Sequence, residues 1–217
     1  MDEIERLRLM IVDDHEVVRD GLVQFLSDSS VEVVGTSGTA NDAVQMMIAL
    51  KPDVVLMDVR MDELDGLWAL EQMKAHSPNI PIVLFSSYDN PTYMARAIAL
   101  GANDYLLKNS SRSTIIASLQ RGLAGHPPPQ ESLLEKVRRS MAASRTLPKS
   151  LSEFSLTHRE VQVLRHVGLG LSNKEIAKSL GISVETVKEH VQNILRKTKA
   201  TDRTDAAVKA VKWGLVE

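Results

Sequence analysis

The sequence lacks cysteine and any long hydrophobic run. With no cysteine among 217 residues, disulfide bonds and thiol chemistry are excluded. No segment approaches the ~20 apolar residues of a membrane span. Residues 1–8 are mostly charged and the apolar run after them is too short for a signal peptide. We therefore expect a cytoplasmic protein with no membrane partner.

Charge is unevenly distributed along the chain, although the net charge is only −2. Residues 1–125 carry 18 acidic and 10 basic side chains, a net charge of −8. Residues 126–217 carry 10 acidic and 16 basic side chains, a net charge of +6. An acidic half joined to a basic half suggests that the second half binds nucleic acid. A merely solvated basic surface is the alternative.

The first 125 residues alternate short apolar runs with longer amphipathic ones, which predicts five βα units. The candidate strands are 8–12, 32–36, 54–57, 81–85 and 104–107, and the candidate helices are 15–27, 41–50, 65–75, 91–100 and 112–123. Strands that alternate with helices form a parallel sheet covered on both faces. The pattern predicts an α/β domain with a flavodoxin-like, doubly wound, five-stranded sheet.

Composition changes after residue 125. The segment 126–129, His-Pro-Pro-Pro, cannot continue a helix and marks a domain edge. We assign 126–152 to a linker that contains a short amphipathic helix, about 131–143. Residues 153–217 are predicted to form an all-α domain of four helices. Within it, Leu-Gly-Ile-Ser at 180–183 supplies a tight glycine turn and a helix cap, as in a helix-turn-helix.

Three carboxylates follow two predicted strands. Asp13 and Asp14 come after 8–12, and Asp58 comes after 54–57. Chemistry in an open α/β sheet collects at the carboxyl ends of the strands. Gathering three carboxylates there is costly unless a cation lies among them, and such oxygen ligands suit Mg²⁺. The sequence therefore predicts a magnesium site at this sheet edge.

Two further groups follow the last two strands of the predicted sheet. Ser86 supplies a hydroxyl and Lys108 an ammonium. Together with a divalent ion they can stabilise a phosphoryl group in transfer to a carboxylate. Asp58 would attack the phosphorus, Lys108 would neutralise the phosphoryl oxygens, and Ser86 would donate a hydrogen bond to one of them.

At these residues the chain resembles the receiver domain of two-component systems. The matching motifs are Ile-Val-Asp-Asp-His at 11–15, Met-Asp-Val-Arg-Met at 57–61, Asp-Gly at 65–66, Ser86, and Tyr-Leu-Leu-Lys at 105–108. The resemblance implies that Asp58 accepts phosphate from a histidine kinase. It also implies Mg²⁺ binding by Asp14, Asp58 and the Arg60 carbonyl, with Asp13 acting largely through water. Ser86 and Tyr105 would form a switch pair.

Two alternatives remain open for this half. A haloacid-dehalogenase-like phosphatase also combines an aspartate nucleophile with Mg²⁺, but that fold usually has Asp-x-Asp after its first strand. Here the acids are adjacent and the candidate nucleophile follows the third strand. Arg60 and Tyr88 either slow the loss of phosphate or simply pack the loops. We expect a regulator and not an enzyme.

The second half resembles the LuxR/NarL-type helix-turn-helix. The matching motifs are Leu-Thr-His-Arg-Glu at 156–160, Leu-Ser-Asn-Lys-Glu-Ile-Ala at 171–177 and Thr-Val-Lys-Glu-His at 186–190. Independently, a stripe at helical spacing predicts the buried face of the third helix, namely Val187, Val191, Ile194 and Leu195. The opposite face can enter the major groove. The candidate DNA contacts are Lys174, Thr186, Lys188, Glu189, Gln192, Arg196, Lys197 and Lys199.

Glu189 is unusual on a face that meets DNA. It either accepts a hydrogen bond from cytosine or pairs with a nearby lysine away from the DNA. The combined resemblance is to a NarL-type response regulator, a transcription factor activated by phosphorylation. It implies a sensor histidine kinase and double-stranded DNA as partners, with a homodimer on activation. RNA polymerase is a further candidate partner.

Overall fold

The structure is a computed structural model that describes residues 6–61, 65–142 and 154–216. Most of the predicted linker after the short helix therefore lies outside the described residues. The chain divides into two compact units. The first comprises the described parts of Met1–Asp89 and Leu100–Glu135, and the second those of Asn90–Ala99 and Lys136–Glu217. No helix in these ranges is long and apolar enough to cross a membrane.

The first unit contains the predicted parallel sheet. Its strands are β1 (Leu7–Val12), β2 (Val31–Ser37), β3 (Val54–Asp58), β4 (Ile82–Ser86) and β5 (Asp104–Leu107). They pair in the order β2-β1-β3-β4-β5, and every pair is parallel. This is the flavodoxin-like order, in which ligands bind beyond the carboxyl ends of the strands. The predicted fold class is confirmed.

Helices follow the strands where the sequence predicts them. They are α1 (Glu16–Leu26), α2 (Ala40–Leu50), α3 (Gly66–His76), α4 (Pro91–Leu100) and α5 (Arg112–Leu123). The side chains of Thr39, Asp65 and Ser111 accept hydrogen bonds from main-chain N–H groups at the starts of α2, α3 and α5. Such caps satisfy donors that have no partner inside the helix.

Strand β3 lies at the centre of the sheet, between β1 and β4. All five of its residues are buried, and Asp58 is the last of them. Gly66, the first residue of α3, lies against this point, because a Cβ there would come within 1.9 Å of the Asp58 carbonyl oxygen. The start of α3 can approach the end of β3 only because residue 66 has no side chain.

The second unit is helical. It contains α7 (His158–Gly168), α8 (Asn173–Leu180), α9 (Val184–Thr198) and α10 (Arg203–Lys212), preceded by α6 (Leu133–Ala142). Capping boxes begin α7 and α8. Gly181 has φ +64° between α8 and α9, and Ser183 caps α9. The predicted helix-turn-helix is confirmed.

The second unit also includes two helices that precede residue 153. Helix α4 packs with the second unit. Its residues Ala95 and Ala99 share a hydrophobic cluster with the C-terminal helices. Within this unit Arg96 Nε lies 2.7 Å from Glu175 Oε1. Met141 of α6 is buried in the same cluster. The reason is the small side chains of α4 and the apolar side of α6, which both pack against this helical core.

Candidate functional site

The predicted carboxylates converge at one edge of the sheet. Strands β1 and β3 are paired neighbours with Val12 opposite Met57, so the residues after them emerge side by side. Asp13 and Asp58 are buried, and the side chain of Asp14 is only slightly exposed. One ligand atom from each of Asp13, Asp14, His15 and Asp58 lies within 4.8 Å of all the others. The edge therefore presents a compact acidic cluster.

Lys108 lies between two of these carboxylates. Its Nζ is 2.6 Å from Asp13 Oδ2 and 2.7 Å from Asp58 Oδ2. The residue follows β5, and its N–H donates to the Ser86 carbonyl at 2.7 Å, so the fourth strand positions it. Burial alone would lower the pKa of Lys108, but the hydrogen bonds to both carboxylates raise it above its ordinary value. The ammonium stays charged beside Asp58.

Asp58 has an unusual electrostatic environment for a carboxylate. Burial raises its pKa from the ordinary value of 3.8, and hydrogen bonds from Lys108 and the Arg60 N–H oppose that rise. The Arg60 N–H donates to Asp58 Oδ1 at 3.2 Å. Desolvation makes an anion more reactive as a nucleophile, while the hydrogen bond from Lys108 favours the ionised form.

The cluster fits a hard divalent cation. Three carboxylates in reach of one another provide the oxygen donors that Mg²⁺ prefers. The sequence did not predict the fourth member, His15, whose Nδ1 lies 2.5 Å from Asp14 Oδ1. That hydrogen bond raises the pKa of His15. Because His15 pairs with Asp14, we assign it to orientation of this carboxylate and not to the ligand set.

Arg19 is a second residue that the sequence did not reveal. From α1 its NH1 donates to the Asp13 carbonyl at 2.7 Å, while the Asp13 N–H donates to the Ser37 carbonyl at 3.1 Å. The space beside Gly38 accommodates the guanidinium, since a Cβ at that glycine would lie 3.1 Å from Arg19 NH1. These bonds fix the main chain of the acidic loop.

The two predicted switch residues both form hydrogen bonds with the main chain of a third residue, Tyr88. Ser86 and Tyr105 are both buried. Ser86 Oγ accepts a hydrogen bond from the Tyr88 N–H at 3.2 Å, and the Tyr105 hydroxyl donates to the Tyr88 carbonyl at 2.8 Å. The main chain of Tyr88 therefore connects the end of β4 to β5.

Arg60 and Tyr88 contact each other beside the acidic cluster. The Arg60 guanidinium carbon lies 5.8 Å from the centre of the Tyr88 ring, within the range of a cation–π contact. Tyr88 is exposed. The contact bridges the loops that follow β3 and β4.

The recognition helix α9 has the predicted two faces. Val187 and Ile194 are buried, and Val191 and Leu195 are partly buried against the same hydrophobic cluster. The predicted outer residues Lys188, Glu189, Gln192 and Arg196 are exposed. Lys199 ends the helix with φ +52°, and Lys174 is exposed at the start of α8. The outer face of α9 is thus polar and exposed.

Several of the predicted DNA contacts have neighbours within the helical unit. Lys188 Nζ lies 2.9 Å from Glu185 Oε1, and Arg196 NH2 donates to Asn193 Oδ1 at 3.0 Å. Thr186 Oγ1 is 2.8 Å from the cap hydroxyl of Ser183. These short-range, exposed contacts are weak and can be exchanged for contacts with DNA.

Lys197 is in a different situation. Its Nζ lies 2.7 Å from Glu160 Oε2 and 3.1 Å from the Ser155 carbonyl oxygen, and the Glu160 side chain is 4% exposed. Burial would raise the pKa of Glu160, but the bond from Lys197 and those from Thr157 lower it below its ordinary value. The sequence assigned Lys197 to DNA phosphate; in this structure its ammonium pairs with a buried carboxylate.

Comparisons with known proteins cover both units. The model of the response regulator receiver domain matches residues 9–120, and that of bacterial regulatory proteins of the luxR family matches 154–210. The response regulator protein VraR of Staphylococcus saprophyticus is 37% identical over 212 residues, 97% of this chain and 99% of that protein. VraR of Staphylococcus aureus strain NCTC 8325 is 35% identical over the same share of each chain.

Solved structures show the same architecture. The response regulator ChrA of a heme-sensing two-component system is 27% identical with a TM-score of 0.53, covering 98% of this chain and all of that one. The RcsB response regulator of Salmonella typhimurium has a TM-score of 0.58 at 20% identity, over 96% and 99% of the two chains, and supports the fold alone. The chain belongs to the response regulators, DNA-binding transcriptional regulators that join a receiver domain to a luxR-family helix-turn-helix.

Proposed function

We propose that Asp58 is the phosphoacceptor of this regulator and that a sensor histidine kinase is the donor. The observation that carries the proposal is the placement of Lys108 Nζ between Asp13 and Asp58, at 2.6 and 2.7 Å. A buried carboxylate beside a fixed ammonium can act as a nucleophile towards a phosphoryl group, whose negative oxygens need cationic neighbours.

In the reaction, an oxygen of Asp58 attacks the phosphorus, a P–O bond forms, and the P–N bond to the kinase histidine breaks. Lys108 moves its hydrogen bond from Asp58 to a phosphoryl oxygen, and Ser86 donates to another. Mg²⁺, bound by Asp14, Asp58 and the Arg60 carbonyl with Asp13 largely through water, would supply the remaining charge neutralisation.

Phosphorylation would act through Ser86 and Tyr105. If Ser86 turns its hydroxyl towards the phosphoryl group, the Tyr88 N–H loses the acceptor that it has at 3.2 Å. The Tyr88 carbonyl still binds Tyr105, so a change at Ser86 is transmitted to the buried side of β5. This shifts an existing equilibrium towards the active form.

The active form would be a homodimer bound to paired half-sites on double-stranded DNA, where RNA polymerase is a further candidate contact. The outer face of α9 enters the major groove, with Lys188, Glu189 and Gln192 towards the bases. Lys174, Arg196 and Lys199 contact phosphates, and Thr186 lies at the groove edge. We exclude Lys197 from this set because of its bond to Glu160.

Labelling with acetyl phosphate tests the proposal. With Mg²⁺ present the intact chain should gain one phosphoryl group, and Asp58→Ala should gain none. Asp20→Ala, which removes an exposed acid from α1, is the matched control and should label normally. Chelation of the metal should prevent labelling. Unchanged labelling of Asp58→Ala would refute the assignment.

Turnover separates the regulator from the phosphatase considered for the sequence. A regulator takes up phosphate stoichiometrically and loses it slowly. A phosphatase would hydrolyse an added phosphoester continuously, at a rate proportional to enzyme concentration. We expect a single stoichiometric uptake from acetyl phosphate and no sustained hydrolysis of p-nitrophenyl phosphate.

A further inference from the structure

Glu189 is an exposed acid in the outer face of the recognition helix. Within the described part of the chain no hydrogen bond or ion pair of its side chain is found. The lysine that precedes it, Lys188, is bound to Glu185. Among the described residues, the pairing with a nearby lysine that the sequence left open is therefore not found.

Helix α9 itself offers no partner for this carboxylate. Residues three and four positions away are the ones that a helical side chain can reach. For Glu189 these are Glu185, Thr186, Gln192 and Asn193, none of them a cation. Glu185, four positions earlier, carries the same charge and opposes it. Glu189 thus gains no favourable charge pair within α9.

A carboxylate on this face is also unfavourable for general DNA binding. DNA phosphates repel it, and it cannot donate a hydrogen bond to them. Its presence favours binding only where DNA offers a donor. In the major groove those donors are the amino groups of cytosine (N4) and adenine (N6). Adenine places its N7 acceptor beside N6, which repels a carboxylate, whereas cytosine has no acceptor next to N4 on its own edge.

We propose that Glu189 is a specificity-determining residue that accepts a hydrogen bond from N4 of a cytosine in the DNA site. The inference rests on the proposed function, because it requires α9 to lie in the major groove. It assigns a base to one side chain and thereby predicts a C·G pair at a fixed position of each half-site.

The first step of the test identifies the DNA site itself. The full chain, treated with acetyl phosphate and Mg²⁺, is used to select bound duplexes from a random-sequence library. Affinities are then measured on duplexes in which each base pair of the selected site is changed in turn. If no sequence is enriched, the proposed function fails, and this outcome is distinct from failure of the Glu189 assignment.

Three variants then locate the contact. Glu189→Ala should lose the preference for C·G at one position, worth roughly 5- to 150-fold for a good direct contact, and keep the others. Glu189→Gln should shift that position towards A·T, because glutamine matches the N6 donor and N7 acceptor of adenine. Glu185→Gln removes the same charge one turn earlier and should leave the preference at that position unchanged.

A modified base tests the individual atoms. N4-methylation of the contacted dC keeps the pair with guanine but replaces the hydrogen that faces the major groove. The intact chain should bind this duplex more weakly, by the same factor that it loses when the contacted C·G pair is changed. Glu189→Ala should bind the methylated and unmethylated duplexes equally. Enriched sites combined with an unchanged base preference of Glu189→Ala would overturn the inference and leave the proposed function in place.

Discussion

The hydroxyl of Tyr105 donates a hydrogen bond to the main-chain carbonyl of Tyr88 at 2.8 Å. Tyr105 is buried in β5, whereas the ring of Tyr88 is exposed next to Arg60. The N–H of the same Tyr88 donates to Ser86 Oγ at 3.2 Å. One residue of the loop after β4 therefore connects the two members of the proposed switch pair.

Removal of that hydroxyl should separate phosphorylation from its effect. We expect Tyr105→Phe to be labelled by acetyl phosphate as fast as the intact chain, because the acidic cluster is untouched. The increase in DNA binding on phosphorylation should shrink, and the receiver unit should lose about 0.5–1.5 kcal/mol of stability. Phosphorylation rate and DNA affinity with and without phosphodonor measure the two effects.

Tyr93→Phe is the control, since its hydroxyl makes no hydrogen bond within the described ranges. It should behave as the intact chain in both assays. A Tyr105→Phe protein with the full phosphorylation response would exclude this hydroxyl from the switch.

Gly66 should not tolerate any side chain. A Cβ there would lie 1.9 Å from the Asp58 carbonyl oxygen, so the main chain at Asp58 must move. We expect Gly66→Ala to lower both the thermal stability and the rate of phosphorylation. Gly21 in α1 is the comparison, because nothing lies within 4 Å of its Cβ position. Gly21→Ala should stabilise the chain by about 0.5–1 kcal/mol and be phosphorylated normally.

Lys197 and Lys199 should give opposite phenotypes. Lys197→Met leaves the buried Glu160 without its cation and should destabilise the helical unit by about 1.5–3 kcal/mol. Lys199→Asn keeps a residue that tolerates φ +52° and should leave stability nearly unchanged. That variant should instead weaken binding to all DNA sequences alike. The slope of the logarithm of the DNA-binding constant against the logarithm of salt concentration, the salt slope, should fall in magnitude by about 1.

Chemical denaturation and salt titrations of DNA affinity distinguish the two lysines. Lys197→Met with normal stability but a reduced salt slope would restore this residue to the DNA interface. Lys199→Asn with an unchanged slope would remove residue 199 from it.

His166 should make the helical unit less stable in acid. Its Nδ1 is 2.7 Å from the Gln162 carbonyl oxygen and its Nε2 is 3.0 Å from Ser179 Oγ. Burial lowers its pKa from 6.5. As the pH falls, the unfolded chain therefore takes up the proton first. The full contribution of His166 to the free energy of unfolding is present above about pH 6.5. It decreases as the pH falls from there towards the lowered pKa of the folded state. The slope per proton is at most about 1.4 kcal/mol per pH unit.

Trp213 provides the measurement, because it packs against Phe154 in the same unit, with ring centres 4.9 Å apart and ring planes tilted by 35°. Its fluorescence in a Trp68→Phe background follows unfolding by denaturant at several pH values. His166→Asn should be less stable but lose most of the pH dependence between about pH 4.5 and 6.5, above the range in which the carboxyl of Glu160, with its lowered pKa, takes up protons. His126→Asn, which changes an exposed histidine, should retain it. Equal slopes in all three proteins would contradict the assignment to His166.

Local features of the sequence determined most of the fold and the acidic site. Apolar runs that alternate with amphipathic ones determine the order of strands and helices, and parallel strands bring their carboxyl ends to one edge. The convergence of Asp13, Asp14 and Asp58 follows from that rule, as does Lys108 beside them. Capping boxes and Gly181 likewise mark the helix-turn-helix, because each depends on contacts only a few residues apart.

Tertiary structure alone decided the contacts between distant residues. Lys197 and Glu160 are 37 positions apart, and nothing in their local sequence distinguishes this buried pair from a solvated lysine. The membership of α4 in the helical unit depends on the packing of Ala95 and Ala99 against that core. The link through Tyr88 depends on a turn that brings its carbonyl to Tyr105, 17 positions later. Side-chain periodicity defines which face of an element is buried, but the partner of that face depends on how the whole chain packs.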